Sequence, residues 1–378
     1  MARLGDLGKV ITGNTPKTSD PQNYASNDIC FVKPSDIADG IVTYLNDSEF
    51  YISEYARAKA RILPPKSVLV TCIGIIGKVA IINVECAFNQ QINAIVPDKS
   101  KCLTEYLAYA IQNKQEEMQD IANAPVVPIL NKTQFSDIEI KLPSLSEQKD
   151  IIQKLNAVSK LISLRKEQLA KLDQLVKSRF IELFGDPETN PKGLEKVLLL
   201  DIAEYFNGLT YSPDNVTNDG TIVLRSSNIQ NSQLDFVDTV RVNSSIKDKL
   251  FVKDNDILMC SRNGSARLVG KVALIKNLSE PMTFGAFMMI IRSRYYPYLM
   301  TYFQMDAFRR QIATGATTTI NQITGNMLNK ISLPLPNMAD INEFATFVEQ
   351  TDKSKLAIQQ SLEKLETLKK ALMQEYFG

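Results

Sequence analysis

Gly77-Lys78-Val79-Ala80 returns as Gly270-Lys271-Val272-Ala273, 193 residues further along the chain. Outward from this pair the two halves keep matching. Asp6-Leu7 through Gly13 aligns with Asp201-Ile202 through Gly208, and Phe31-Val32-Lys33-Pro34-Ser35-Asp36-Ile37 aligns with Val223-Leu224-Arg225-Ser226-Ser227-Asn228-Ile229. Ile140-Lys141-Leu142-Pro143 aligns with Ile331-Ser332-Leu333-Pro334, and Phe184-Gly185 with Phe377-Gly378. Solenoid repeats recur every 20 to 50 residues or so; a period this long denotes a duplicated domain.

Each half divides again. Its first part alternates short β-rich runs with Gly, Pro, Asn and Asp: Ser67 to Ile73, Lys78 to Asn83 and Ile92 to Val96, then Asp256 to Ser261, Lys271 to Lys276 and Ala286 to Ile291. Helical patches, Leu103 to Gln112 and Tyr298 to Ile312, lie among them, which predicts mixed α/β (α+β) globules. The second part follows a Leu-Pro step and changes period. Leu155, Val158, Ile162, Leu169, Leu172, Val176 and Leu183 recur at three and four spacing, as do Ile358, Leu362, Leu365, Leu372 and Tyr376. These are coiled-coil seams. Neither helix can bury its seam alone, so the sequence predicts two pseudo-symmetric globular domains, residues 1–145 and 193–337, separated by two long antiparallel coiled-coil helices, 146–184 and 338–378, with a linker at 185–192. The alternative is that each helix folds back on its own domain. Arg165, Arg179 and Lys355 interrupt the seams and predict local openings or contacts with another protein.

Composition narrows the chemistry. The 378 residues carry 43 Lys plus Arg against 42 Asp plus Glu, with no His and no Trp. Without His, any catalysis would rest on carboxylates, Lys, Cys or Ser. Net charge by segment is −2 for 1–145, +2 for 146–192, +3 for 193–337 and −2 for 338–378, so no segment is a strongly basic DNA-binding domain. DNA binding by such a chain would depend on partners for much of the phosphate contact. Cys30, Cys72, Cys86, Cys102 and Cys260 include no Cys-x-x-Cys and mostly sit in apolar runs, as reduced buried thiols do. No apolar run is long enough to span a membrane and the N-terminus lacks a signal-peptide core, which predicts a cytoplasmic protein without membrane contact.

Catalytic signatures fail on inspection. Gly264 to Gly270-Lys271-Val272 has one residue too many for a phosphate loop and ends in Val where a hydroxyl should hold magnesium. Asp98 and Glu139, with Lys141, loosely fit the paired acids of a metal-dependent nuclease, but Lys330 and Ser332 stand at the second-half positions of Glu139 and Lys141. No catalytic residue and no metal ligand is expected. The polar loops differ between halves in a more informative way. Lys33-Pro34-Ser35-Asp36 faces Arg225-Ser226-Ser227-Asn228, Cys72-Ile73-Gly74 faces Cys260-Ser261-Arg262-Asn263-Gly264, and Asn89-Gln90-Gln91 faces Gly285-Ala286-Phe287. Arg and Lys suit guanine edges and Asn and Gln suit adenine in the major groove, although Asn, Ser and Gly also fill turns for backbone reasons. Framework positions match while these loops differ, as in two modules reading different sequences. The candidate DNA-binding residues are Lys33, Ser35, Asn89, Gln90, Arg225, Ser226, Ser227, Arg262 and Asn263.

Three stretches carry a resemblance: Gly13-Asn14-Thr15-Pro16, Leu142-Pro143-Ser144-Leu145-Ser146-Glu147-Gln148 before the first long helix, and Leu183-Phe184-Gly185-Asp186-Pro187-Glu188-Thr189-Asn190-Pro191-Lys192-Gly193 after it. In order and duplication they resemble the DNA-specificity (S) subunits of type I restriction-modification systems, over essentially the whole chain. The resemblance implies two target-recognition domains, each reading one half of a bipartite, asymmetric site in double-stranded DNA. It further implies helices that act as a ruler and dock two methyltransferase subunits, with restriction subunits completing the nuclease. Adenosylmethionine, ATP and Mg are then expected on the partners, and this chain is non-catalytic. Two departures stand out: the second half reads Leu335-Pro336-Asn337-Met338-Ala339-Asp340-Ile341 without the Glu-Gln step, and Gly208-Leu209-Thr210-Tyr211 replaces Gly13-Asn14-Thr15-Pro16. The main alternative function is a protein-interaction scaffold that does not read DNA.

Overall fold

A computed structural model describes residues 1–122, 127–313 and 322–378. The chain forms two compact units, residues 1–166 with 359–378, and residues 167–358. Each unit thus holds one globular region and a stretch of both long helices.

In the first unit a five-stranded sheet has the order Gly8–Thr12, Ile92–Pro97, Ser67–Thr71, Val79–Ile82, Val42–Leu45. All its pairs are antiparallel except the last. Strand Ser67–Thr71 is buried along its whole length, because both faces of the sheet are covered. Val68 and Val70 join the core under helix Thr104–Asn113, with Tyr106, Leu107 and Ile111. Leu69, Ala80, Ile82 and Ile92 pack on the other face against Val32 and Phe88 of a second sheet. That second sheet, ordered Tyr51–Ile52, Ile29–Val32, Cys86–Phe88, Ile62–Leu63, contains one parallel pair, Ile29–Val32 with Cys86–Phe88.

The second unit repeats the plan. Glu204–Asn207, Met288–Arg292, Ile257–Cys260 and Val272–Leu274 form the central sheet, and Thr221–Leu224 runs parallel to Met282–Phe284 in the other. Ile257 and Met259 face one core, Leu258 and Cys260 the other. Differences from the sequence reading are local. The patch Tyr298 to Ile312 is two helices, Tyr296–Tyr302 and Asp306–Ala313. The strands Ile29–Val32, Cys86–Phe88, Thr221–Leu224 and Met282–Phe284 lie outside the runs read from the sequence.

The long helices run Leu145–Phe184 and Met338–Phe377, 40 residues each, or about 60 Å at about 1.5 Å per residue. Within each unit they pair antiparallel. In the first unit Lys154 Nζ reaches Tyr376 Oη (3.2 Å) and Lys166 Nζ reaches Glu366 Oε1 (3.0 Å). In the second, Lys355 Nζ meets Asp173 Oδ1 (2.7 Å) and Arg179 meets Glu343 Oε1 (2.5 Å). Two of the predicted seam interruptions, Arg179 and Lys355, are therefore cross-helix ion pairs and not openings. Leu155 and Leu362 are fully packed, while Ile162, Leu169, Leu172, Val176, Ile358, Leu365 and Leu372 are partly buried. Off the seam, Leu161, Leu164, Leu175, Leu356 and Leu368 stay exposed, since two helices cover only one stripe of each other.

The helix ends also enter the globular cores. Phe377 packs on Tyr106 (ring centroids 5.2 Å apart), and Phe184 packs edge-on to Tyr298 (5.2 Å). Tyr106 Oη donates to Lys141 O (2.9 Å) and Tyr298 Oη to Pro334 O (2.7 Å), and these carbonyls are equivalent because strand pairing matches Ile140 with Leu333, two residues from the sequence alignment. This is why the phenylalanine recurs. The structure also corrects the alignment at the helix starts. Ser144 with Glu147 forms a capping box (Ser144 N to Glu147 Oε2, 2.9 Å), and Asn337 with Asp340 caps the second helix at the matching place (Asp340 N to Asn337 Oδ1, 3.0 Å). Gln148 therefore corresponds to Ile341, and both are fully buried. Gln148 accepts from Leu103 N (2.8 Å) and donates to Lys101 O (3.1 Å) and Pro143 O (2.9 Å); in the second unit an apolar side chain fills that space.

Candidate nucleic-acid interface

Parallel pairing places the C-terminal ends of two strands side by side. In the first unit Asn89 N donates to Val32 O (3.1 Å), which sets Lys33 and Asn89 next to each other at one edge. In the second, Gly285 N donates to Leu224 O (2.9 Å) and does the same for Arg225 and the loop after Phe284. Glycine lets a third segment, after Thr12 and after Asn207, pack against these ends. A Cβ on Gly13 would sit 2.0 Å from Asn89 O, and one on Gly208 would sit 2.2 Å from Gly285 O.

Lys33 and Arg225 each open a single helical turn, Pro34–Asp36 and Ser226–Asn228. The capping is the same in both: Lys33 N donates to Asp36 Oδ2 (2.7 Å) and Arg225 N to Asn228 Oδ1 (2.9 Å). The Gly-Lys-Val-Ala step supports the first turn. Gly77 adopts φ 84°, Gly270 φ 81°, and Lys78 Nζ donates to Pro34 O (2.8 Å) and Ile37 O (2.6 Å). What lies on this shared frame differs. The Lys33 ammonium rests 3.2 Å from the centroid of the Phe50 ring, and Ser35 is exposed. Arg225 is held by Asp238 (2.8 Å), while its Nε is buried with no hydrogen-bond partner.

The second loop, at Cys72 and Cys260, pairs one residue away from the sequence alignment. Gly77 N donates to Thr71 O and Gly270 N to Cys260 O, so Thr71 matches Cys260 and Ile73 matches Arg262. Ile73 bridges to Ile129, and Arg262 to Gln322. Burial pushes the Cys72 thiol up to about 11 and raises that of Cys260, so both are packing groups. Asn263 Nδ2 reaches Ser226 Oγ (3.3 Å), tying the second and first loops, and its Oδ1 accepts from Ser265 N (3.0 Å).

The structure thus brings the nine candidates to the same strand ends in each unit, though not in one state of availability. Asn89 is buried and its side chain is taken up by Gln91, accepting from Gln91 N (3.1 Å) and donating to Gln91 Oε1 (3.0 Å). Gln90 is exposed and accepts from Thr15 Oγ1 (2.5 Å), which explains one residue of Gly13-Asn14-Thr15-Pro16. Asn14 fixes the segment leading into strand Ile62–Leu63 through Lys59 O (2.7 Å) and Arg61 N (2.8 Å). Ser226 and Ser227 are half-buried, and Ser227 O accepts from Gln230 Nε2 (3.0 Å). Two aromatics at these strand ends, Phe50 and Phe287, are not among the polar candidates; the latter is 60% exposed, with the Arg262 guanidinium 5.4 Å from its ring centroid. A large aromatic after the polar run Asn46-Asp47-Ser48-Glu49 was the signal available for Phe50, whereas Phe287 stands among Gly285, Ala286 and Met288 and gave none.

The nuclease pair has local duties instead. Asp98 accepts from Ser100 N (3.0 Å) and Oγ (2.6 Å), which hold its carboxyl below the usual range, and Glu139 faces Arg3 at 3.8 Å. Among the described residues no cluster of acidic or Cys side chains suits a metal ion, and no helix is long and apolar enough to cross a membrane.

Comparison with known proteins matches this duplicated plan. Residues 1–174 and 191–370 each match the type I restriction modification DNA specificity domain. The type I restriction enzyme MjaIX specificity subunit of Methanocaldococcus jannaschii is 32% identical over 192 residues, 50% of this chain and 44% of that protein. The HindI specificity subunit of Haemophilus influenzae is 33% identical over 147 residues, 38% and 32% of the two chains. These matches span less than half of the relatives' lengths. Among solved structures, the type I restriction-modification S subunit from M. genitalium superposes with TM-score 0.57 at 13% identity, covering 100% of this chain and 95% of that one. A chain from a study of assembly and conformational transition of the type I R-M system gives 0.58 at 17%, covering 99% and 96%. At such identities the superpositions speak for the fold alone. With both halves matched by one profile, the chain belongs to the type I restriction modification DNA specificity domain family.

Proposed function

We propose that this chain is the DNA-specificity subunit of a type I restriction-modification complex, with each globular domain reading one half of a bipartite, asymmetric duplex site. The observation that carries the reading is the shared frame with unlike side chains: identical turn capping beneath Lys33 and Arg225, and Ile73 in one domain where Arg262 stands in the other. Reading by the major groove needs side chains held at a fixed place and free to vary in identity. The paired helices are the spacer and the docking site for two methyltransferase subunits, with restriction subunits joining the assembly. The exposed Leu161, Leu164, Leu175, Leu356 and Leu368 support that docking, as apolar ridges that partner helices would cover. In this reading the chain is non-catalytic, binds no cofactor, works in the cytoplasm, and leaves adenosylmethionine, ATP and Mg to its partners.

The test is a selection from random duplex DNA by the chain, alone and with its methyltransferase partner, at moderate salt. Two short enriched blocks around an unspecified gap support a bipartite reader. No enrichment from a folded complex refutes DNA reading and leaves the interaction scaffold.

A further inference from the structure

Among the cationic candidates at the strand ends, two are already engaged. Lys33 lies against Phe50 and Arg225 against Asp238. Arg262 differs: it is exposed, and no carboxylate lies within ion-pair distance among the described residues. Its backbone is nevertheless fixed. Arg262 N donates to Phe287 O (3.1 Å), its carbonyl accepts from Cys260 Sγ (3.6 Å), and the residue bridges to Gln322. The guanidinium lies 5.4 Å from the ring centroid of Phe287, itself 60% exposed. An aromatic ring that leaves most of its surface in water beside an uncommitted guanidinium is poorly explained by packing within the domain.

We propose that Arg262 and Phe287 act as one specificity-determining unit of the second domain, reading a guanine and the 5-methyl group of an adjacent thymine. The inference rests on the DNA-reading function above. The chemistry follows from the groups: a guanidinium donates two parallel hydrogen bonds to guanine O6 and N7, and an apolar side chain suits the thymine methyl. Holding the guanidinium near the ring limits its rotamers before DNA arrives, so less freedom is lost on binding. The first domain places Ile73 and Gln91 at the matching positions, so this step belongs to one half-site only.

The test uses the full chain with its methyltransferase partner, selected on random duplex DNA as wild type, R262A, R262K and F287A, with folding verified by circular dichroism. R262A should flatten one guanine position in one block, a loss of about 5- to 150-fold in base preference, and leave the other block unchanged. R262K should restore it only in part, since an ammonium can reach guanine but lacks the planar fork that matches O6 and N7. Replacing the adjacent thymine by uracil should weaken wild-type binding about fourfold, the worth of one buried methyl, and leave F287A indifferent. A loss in R262A that is uniform across sequences assigns Arg262 to phosphate and overturns the proposal. Equal wild-type affinity for thymine and uracil overturns the role of Phe287. Absence of any wild-type motif refutes DNA reading itself and is distinguishable from both.

Discussion

The buried pair Asp256–Arg292 permits a quantitative experiment, because the repeat supplies its own control. Asp256 is 1% exposed and Arg292 grips it twice, Nε to Oδ1 and the terminal nitrogen to Oδ2, both at 2.7 Å. Lys253 N adds a third hydrogen bond (2.8 Å). The pairing of Ile257 with Ile291 places Asp256 opposite Arg292, and in the first domain the pairing of Val68 with Ile95 places Ser67 opposite Val96. The first domain solves the same position with no charge. Removing Arg292 strands a carboxylate that is 1% exposed, so R292V should cost about 3–5 kcal/mol; D256S leaves an Arg292 side chain that is 25% exposed and should cost less, and removing both together should cost far less than the sum. The double variant D256S/R292V recreates the first domain's solution and should lie within about 2 kcal/mol of wild type. Urea unfolding followed by circular dichroism, fitted with separate transitions for the two units, measures this, and hydrogen exchange at Ile257 to Cys260 reports the affected strand. R292V costing under about 1 kcal/mol, or a double variant as damaged as the sum, would refute the account of Asp256 as a buried charge that depends on Arg292.

Further consequences concern single residues. Q148A removes three hydrogen bonds at a fully buried site and should destabilise the first unit by about 3 kcal/mol, visible as lost exchange protection of the Leu103 amide. At the matching site I341A should cost about 2–5 kcal/mol through a cavity, with no amide losing its acceptor. G13A should cost at least about 2 kcal/mol in thermal unfolding, because its Cβ would meet the backbone oxygen of Asn89 and the loop must move. Alkylation near pH 8.5, read by mass spectrometry, should label half-exposed Cys30 first, whereas burial holds the Cys102 thiol up near about 12 and that residue should react only on unfolding.

Much of this protein is legible without coordinates. The 193-residue repeat, the change from β-rich runs to a seam of three and four spacing, and the 40-residue helices are local regularities. Local regularities survive in sequence because each residue's face follows from its own position in the element. The candidate loops were legible for a related reason: where the frame repeats and the loop does not, the difference marks variation on a common support.

Tertiary structure decided what the loops can offer. Asn89 reads as an adenine-recognising side chain, yet its neighbour Gln91 occupies it in the fold. Arg225 reads as a free cation, but Asp238, thirteen residues away, holds it. Phe287 and Arg262 are separated by 25 positions and share nothing in composition; antiparallel pairing of Ile257–Cys260 with Met288–Arg292 brings them together. The alignment of Gln148 likewise required the capping turns, since Glu147 and Asp340 match by role and not by identity. Sequence periodicity specifies which face of an element is buried, whereas the availability of a polar group depends on partners that only chain reversal brings within hydrogen-bonding distance.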